Sequence, residues 1–244
     1  MDVFTLTDIG RLREENQDFV YRGATKYFPL VMMVADGMGG HAGGSLASRK
    51  AVECIAEAME NMKPEPELLR QAVETANLRI LEIARNIPAY NSMGTTIVVA
   101  ACTENRVMLA HVGDSRAYLL HEHVLWQLTT DHSYVQYLVE KGKMTQEEAR
   151  VSPYRNMITR ALGMEGLEVD LIEAPLEKGD ILLLCSDGLS SYFSNEELQQ
   201  YLEIPETAEQ KARVLLNVAL ERGGSDNISV ALAICGAEGG GSND

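Results

Sequence analysis

Short uninterrupted apolar runs alternate along the chain with stretches in which apolar positions recur every third or fourth residue. The first clear run, residues 30–35, ends at an Asp-Gly pair and reads as a buried strand. Past the glycine-rich turn, Ala51, Ile55 and Met59, with Val52 and Ala56 beside them, make an apolar stripe at helical spacing. Ser45 is the candidate cap of that helix, and Pro64 and Pro66 break it. Leu69, Ala72, Val73, Ala76, Ile80 and Ala84 share one face of a second helix. The period then changes. Segments 95–102, 107–112, 116–121 and 124–128 read as four short strands joined by turns, an antiparallel meander. Residues 133–164 are polar and predict two short helices. Strands follow at 167–172 and 181–185, helices at 195–202 and 208–221, and a last strand at 228–234. Helix pairs set between runs of strands do not make a βαβ ladder. They predict an α+β fold, two stacked antiparallel sheets with helices on the outer faces. No repeat or linker divides the chain, so one domain is expected over residues 1–236, followed by a flexible, glycine-rich tail at 237–244.

Composition narrows the function classes. The chain has 244 residues, enough for a sizeable core, with ordinary hydrophobic (45%) and charged (23%) fractions. Its 21 basic and 36 acidic residues give a net charge of −15, the wrong sign for binding a phosphate backbone or an anionic membrane surface. No stretch is long and apolar enough to span a bilayer, and the N-terminus lacks the regions of a signal peptide. Cys54, Cys102, Cys185 and Cys235 are scattered in apolar contexts and read as buried thiols, not disulfides or zinc ligands. A cytoplasmic monomer is expected.

Five aspartates recur beside small residues at the ends of predicted elements: Asp18, Asp36, Asp114, Asp187 and Asp226. A single Asp-Gly is more often a turn than a ligand. Five such contexts point instead to a site, and carboxylates that converge repel one another unless a cation sits among them. Oxygen ligands without cysteine or paired histidine favour Mg²⁺ or Mn²⁺. Rival motifs fall away. Gly37, Gly39 and Ala42 match a dinucleotide fingerprint, but a second helix follows the first, so no βαβ unit exists. There is no Walker loop, no cysteine-phosphatase loop, and Gly113–Ala117 falls short of a serine nucleophile elbow. His121 and His123 read as a solvated hairpin turn.

Taken in order, Arg-Glu-Glu-Asn-Gln-Asp (13–18), Val-Ala-Asp-Gly-Met-Gly-Gly-His (34–41), Met-Gly-Thr-Thr (93–96), His-Val-Gly-Asp-Ser-Arg (111–116), Leu-Thr-Thr-Asp-His-Ser (128–133), Ile-Thr-Arg-Ala-Leu-Gly (158–163), Cys-Ser-Asp-Gly-Leu (185–189) and Ser-Asp-Asn-Ile-Ser-Val (225–230) resemble the PP2C-like (PPM) metal-dependent serine/threonine phosphatases in their short bacterial form. The resemblance implies the same double-sheet fold. It also implies two or three divalent ions, Mn²⁺ or Mg²⁺, and hydrolysis of phosphoserine and phosphothreonine by a metal-activated water without a covalent intermediate.

By the same resemblance, Asp36 bridges two ions, the Gly37 carbonyl binds one, Asp187 and Asp226 complete the pair, and Asp18 supports their waters. Asp114 with Asp187 matches the position of a third ion. Arg13 is the expected phosphate ligand and His41 the expected general acid. Gln17 departs from the pattern, since many members carry Glu there. Residues 133–164 correspond to the family's variable flap. The implied partners are phosphorylated proteins and a cognate serine/threonine kinase. The alternative is a catalytically silent module that binds a phosphoprotein or regulates a partner, and retention of Asp36, Asp187 and Asp226 argues against it.

Overall fold

The computed structural model describes residues 1–40 and 43–236. The expected tail, 237–244, and His41 lie outside the described residues. In chain order the elements begin with strands β1 (Asp2–Asp8), β2 (Phe19–Gly23), β3 (Leu30–Ala35) and β4 (Gly37–Met38), then helices α1 (Gly43–Met59) and α2 (Pro66–Asn86). Strands β5 (Gly94–Thr95), β6 (Ile97–Cys102), β7 (Arg106–Val112), β8 (Arg116–His121) and β9 (Val124–Gln127) precede helices α3 (Tyr134–Glu140) and α4 (Gln146–Val151). Then come β10 (Asp170–Pro175), β11 (Ile181–Cys185), helices α5 (Asp187–Ser190), α6 (Asn195–Glu203) and α7 (Ala208–Glu221), and β12 (Ile228–Ile234).

Two five-stranded antiparallel sheets, ordered β1-β12-β11-β8-β9 and β10-β7-β6-β3-β2, stack face to face. This is the expected α+β sandwich. The central strands β3, β6 and β11 read as unbroken apolar runs because both of their faces are covered. Leu30, Met32 and Val34 of β3 point inward with Val98 and Ala100 of β6, against Leu182, Leu184, Ala231 and Ala233 of the facing sheet. The alternate residues Val31, Met33, Val99 and Ala101 point outward and pack under Ala51, Ile55 and Met59 of α1 and Leu69, Val73 and Ile80 of α2. On the other side Leu183, Val230 and Leu232 lie under Leu198, Leu202, Ala212 and Leu215 of α6 and α7. Each such leucine contributes roughly 1.5–3 kcal/mol by burial. Among the described residues no helix is long and apolar enough to cross a membrane.

The meander is corrected. β6 and β7 pair with each other and so do β8 and β9, but β7 and β8 belong to different sheets. The chain crosses between them at residues 113–115, where Gly113 adopts φ 112° and any side chain would strike Thr96. Ser45 is also not the cap of α1; it lies inside the helix, and its hydroxyl donates to Glu15 Oε1 at 2.8 Å. Pro66 starts α2, where its missing amide hydrogen costs nothing. β1 and β2 went unread because both are half-buried edge strands with weak apolar signals.

Candidate metal centre

All five aspartates leave or enter strands at the same end of the sandwich. Asp36 follows β3 and Asp114 follows β7 in one sheet, while Asp187 follows β11 and Asp226 precedes β12 in the other; Asp18 precedes β2. Antiparallel order makes this possible, since the end of one strand lies beside the start of its neighbour. Asp18 and Asp114 are buried; Asp36, Asp187 and Asp226 keep an edge open to solvent. Close backbone packing fixes the positions. A side chain at Gly37 would come within 2.2 Å of the Gly44 carbonyl oxygen, and one at Gly188 within 1.9 Å of the Asn227 carbonyl oxygen.

The five groups act on one another electrostatically. Burial and then the charges of Asp18, Asp187, Asp114 and Asp226 push the Asp36 carboxyl well above its usual range. Burial lifts Asp18 to about 7, although hydrogen bonds from Ser229 and Ser186 pull the other way. Asp187 rises to about 6 through burial and the charge of Asp226, and Asp114 rises through burial and the charges of Asp187 and Asp131. Among the described residues donors are scarce. Ser186 Oγ donates to Asp18 Oδ2 at 2.8 Å, but Asp18 Oδ1, Asp114 Oδ1 and Asp187 Oδ1 are shielded from solvent and have no hydrogen-bond partner among those residues. Convergent acceptors lacking donors are the arrangement that a hard divalent cation satisfies, so the residues fit the expected ions.

The surrounding residues hold this cluster in place. Asp36 is fixed at its backbone, its amide donating to Thr96 Oγ1 and its carbonyl accepting from Thr95 Oγ1 and the Thr96 amide. Thr96 Oγ1 lies 2.7 Å from Ser115 Oγ, tying the two sheet ends together. Asn227 accepts from the Gln17 amide and donates to the carbonyls of Ile9 and Glu15, joining the loop after β1 to the start of β12. Ser186, Thr96, Ser115, Asn227 and Gly188 had no role in the sequence reading, although each sits inside one of its quoted motifs. Arg13 Nη2 lies 2.6 Å from Asp226 Oδ2, so the expected phosphate ligand stands at the rim of the cluster.

Beside Asp114 and Asp187 opens a cleft of about 540 Å³, walled by Arg116, Arg150, Arg155 and Asn156. Arg116 is engaged bidentately by Asp131, and Arg150 donates to the Phe193 carbonyl. A larger groove of about 1320 Å³ lies at the opposite end of the sandwich, around His121, Asp180 and Lys211, and contains none of the five aspartates. His121 and His123 lie at a solvated hairpin turn as expected, with the His123 side chain 90% exposed, and their rings also meet Asp180 and Glu203.

Comparison with known proteins agrees with this geometry. A family model described as protein phosphatase 2C matches residues 12–226. The serine/threonine phosphatase Stp of Listeria monocytogenes is 40% identical over 233 residues, covering 93% of this chain and 92% of the relative. The crystal structure of the Mycobacterium tuberculosis serine/threonine phosphatase PstP/Ppp superposes with a TM-score of 0.87 at 38% identity, covering 96% of this chain and 99% of that one. The catalytic domain of PstP in complex with two manganese ions superposes with a TM-score of 0.84 at 38% identity, covering 94% of this chain and 96% of that one.

Proposed function

The chain belongs to the protein phosphatase 2C family, and we propose that it is a metal-dependent serine/threonine protein phosphatase acting on phosphorylated proteins. The observation that carries the reading is the cluster of Asp18, Asp36, Asp114, Asp187 and Asp226, with three shielded carboxylate oxygens that lack donors among the described residues. A silent binding module would gain nothing from keeping such mutually repelling groups.

Asp36, the Gly37 carbonyl, Asp187 and Asp226 would hold two ions, Asp18 would orient their waters, and Asp114 with Asp187 would hold a third. We propose Mn²⁺ or Mg²⁺, on the oxygen-only ligand set. Such ions, when bound, supply the positive charge that a phosphomonoester dianion needs in a protein of net charge −15, and make water a nucleophile near neutral pH. Arg13 has a guanidinium with donors to spare beyond Asp226, and its side chain is 55% exposed, so it can grip phosphate oxygens at the mouth. His41 would protonate the departing serine or threonine oxygen.

Residues 133–164 border the cleft beside Asp114 and Asp187 and would select among protein substrates. A serine/threonine kinase is the proposed counterpart of the reaction, and a cytoplasmic monomer with a single domain over residues 1–236 the proposed form. Hydrolysis of p-nitrophenyl phosphate, with Mn²⁺ and with excess EDTA, tests the reading. Turnover that requires the metal supports an enzyme; none under either condition would favour the silent module.

A further inference from the structure

We propose that His132 is a positioning residue that sets Asp114 from the base of the flap. Gly113, the residue just before Asp114, is gripped twice by this one residue: the His132 amide donates to the Gly113 carbonyl at 2.7 Å, and the Gly113 amide donates to His132 Nδ1 at 3.0 Å. Gly113 is the corner at which the chain leaves β7 and crosses to β8, with φ 112°. No regular strand pairing holds that corner, so the histidine supplies what a sheet ladder would.

The ring is itself held. Since Nδ1 accepts from Gly113, Nε2 carries the proton and donates to Asp170 Oδ2 at 3.1 Å, while Arg160 Nη1 donates to Asp170 Oδ1 at 3.1 Å and passes 3.3 Å from Nε2 without bonding to it. Burial alone would raise the Asp170 carboxyl, yet the hydrogen bond from His132 and the charge of Arg160 hold it below its usual range. Neutral His111 lies against His132 with ring centroids 4.7 Å apart and the planes tilted by 36°; burial pushes its pKa down to about 4. His111, His132 and Asp170 stand close enough to invite an ion of their own. The protonated Nε2 and the guanidinium already on Asp170 leave no room for one.

The same residues close the flap. His132 immediately precedes it, the Thr159 amide donates to the His132 carbonyl at 2.8 Å, and the Tyr134 amide donates to the Met157 carbonyl at 2.8 Å. Ser133 bridges Ile158, so 132–134 and 157–159 run as a short antiparallel pair with Arg160 next in line. A displacement of the flap base therefore reaches Asp114 through one ring.

This inference rests on the reading of Asp114 as a metal ligand, and the experiment separates the two. Manganese is titrated into the metal-stripped full chain without substrate, and free Mn²⁺ is followed by its paramagnetic signal. His132→Ala should weaken the ion held by Asp114 about 10-fold or more, the range seen when an outer hydrogen-bond partner of a metal site is lost. His132→Asn, whose amide oxygen takes the place of Nδ1, should recover most of that loss. His132→Gln, whose amide reaches the Nε2 position instead, should not. A wild-type isotherm for Asp114→Asn would remove Asp114 from the metal centre and the premise with it. An altered isotherm for Asp114→Asn beside a wild-type one for His132→Ala would overturn the inference alone. If His132→Ala does not fold, His132→Gln, which keeps the flap pairing and loses the acceptor for Gly113, takes its place, and a wild-type isotherm there overturns the inference equally.

Discussion

Arg13 and Asp226, 213 positions apart, meet at 2.6 Å between the guanidinium Nη2 and the carboxylate Oδ2. The contact ties the loop after β1 to the residue that leads into β12, and sets a cation on the rim of a carboxylate cluster. The hydrogen bond that Arg13 donates to Asp226 favours the Arg13 charge and outweighs burial, with the charges of Asp226, Asp36 and Asp187 adding attraction. With both partners partly solvated, the pair contributes ~0–1 kcal/mol to stability. Arg13→Ala should therefore shift the melting temperature by no more than about 2–4 °C. Its cost should fall on substrate binding, about 10–100-fold in kcat/KM and mainly through KM, as loss of a charge-assisted hydrogen bond implies. Arg13→Lys should fall between. Steady-state kinetics beside a melting curve check this, and a large melting shift with unchanged KM would make the residue structural.

Metal removal should expose the repulsion in the cluster. The folded-state pKa of Asp18 lies at about 7 and that of Asp187 at about 6, both above the ordinary value of 3.8. A carboxyl raised by folding binds protons more tightly in the folded state, so its contribution is favourable below the unfolded value and is lost as pH rises through the folded one. In EDTA, stability should fall between about pH 4 and about pH 7; saturating Mn²⁺ should abolish that slope and raise the melting temperature. Denaturant melts across this window decide it, and a flat profile in EDTA would contradict the account. Asp187→Asn should stabilise the metal-free chain near pH 7 while removing the response to Mn²⁺.

Gly188 should be intolerant of a side chain. A methyl group there would sit 1.9 Å from the Asn227 carbonyl oxygen, between Asp187 and Asp226. Gly188→Ala must push apart Asp187 and Asp226, two of the expected metal ligands, so Mn²⁺ affinity should fall by at least about 10-fold, by analogy with loss of outer support to a metal site. Calorimetric titration of the folded variant with Mn²⁺ measures this. Wild-type affinity would mean that the backbone relaxes without moving either carboxylate.

For His41 the test is chemical. A serine alkoxide leaves poorly without a proton, whereas p-nitrophenolate needs none, and general acid catalysis is worth ~10²–10⁴-fold where it is needed. His41→Ala should slow phosphoserine peptides and phenyl phosphate far more than p-nitrophenyl phosphate, steepening the dependence of rate on leaving-group pKa. A uniform loss across leaving groups would make the residue structural.

Much of this was legible in the sequence because strands covered on both faces announce themselves as continuous apolar runs. β3, β8, β11 and β12 stand where the pattern put them. The partnership of strands was less legible: the short connection at 113–115 looks like a hairpin turn, and only the positive φ of Gly113 and the pairing of β8 with β11 reveal a crossing between sheets. The aspartates could be picked out by their small-residue contexts. Their support could not, because Thr96, Ser115, Ser186 and Asn227 act through hydrogen bonds to backbone or to groups far away in the chain. His132 is the clearest case. Nothing in Thr-Asp-His-Ser shows that its ring turns back to the corner before Asp114.

Whether metal gathered by these carboxylates drives hydrolysis of phosphoserine is decided by titrating Mn²⁺ into the metal-stripped chain and measuring phosphate released from a phosphoserine peptide, with Asp36→Asn in parallel. No release is expected before metal; turnover should rise with Mn²⁺ and return to zero in EDTA, and Asp36→Asn should show none at any Mn²⁺ concentration. Undiminished release in excess EDTA, or full activity of Asp36→Asn, would contradict metal-driven hydrolysis.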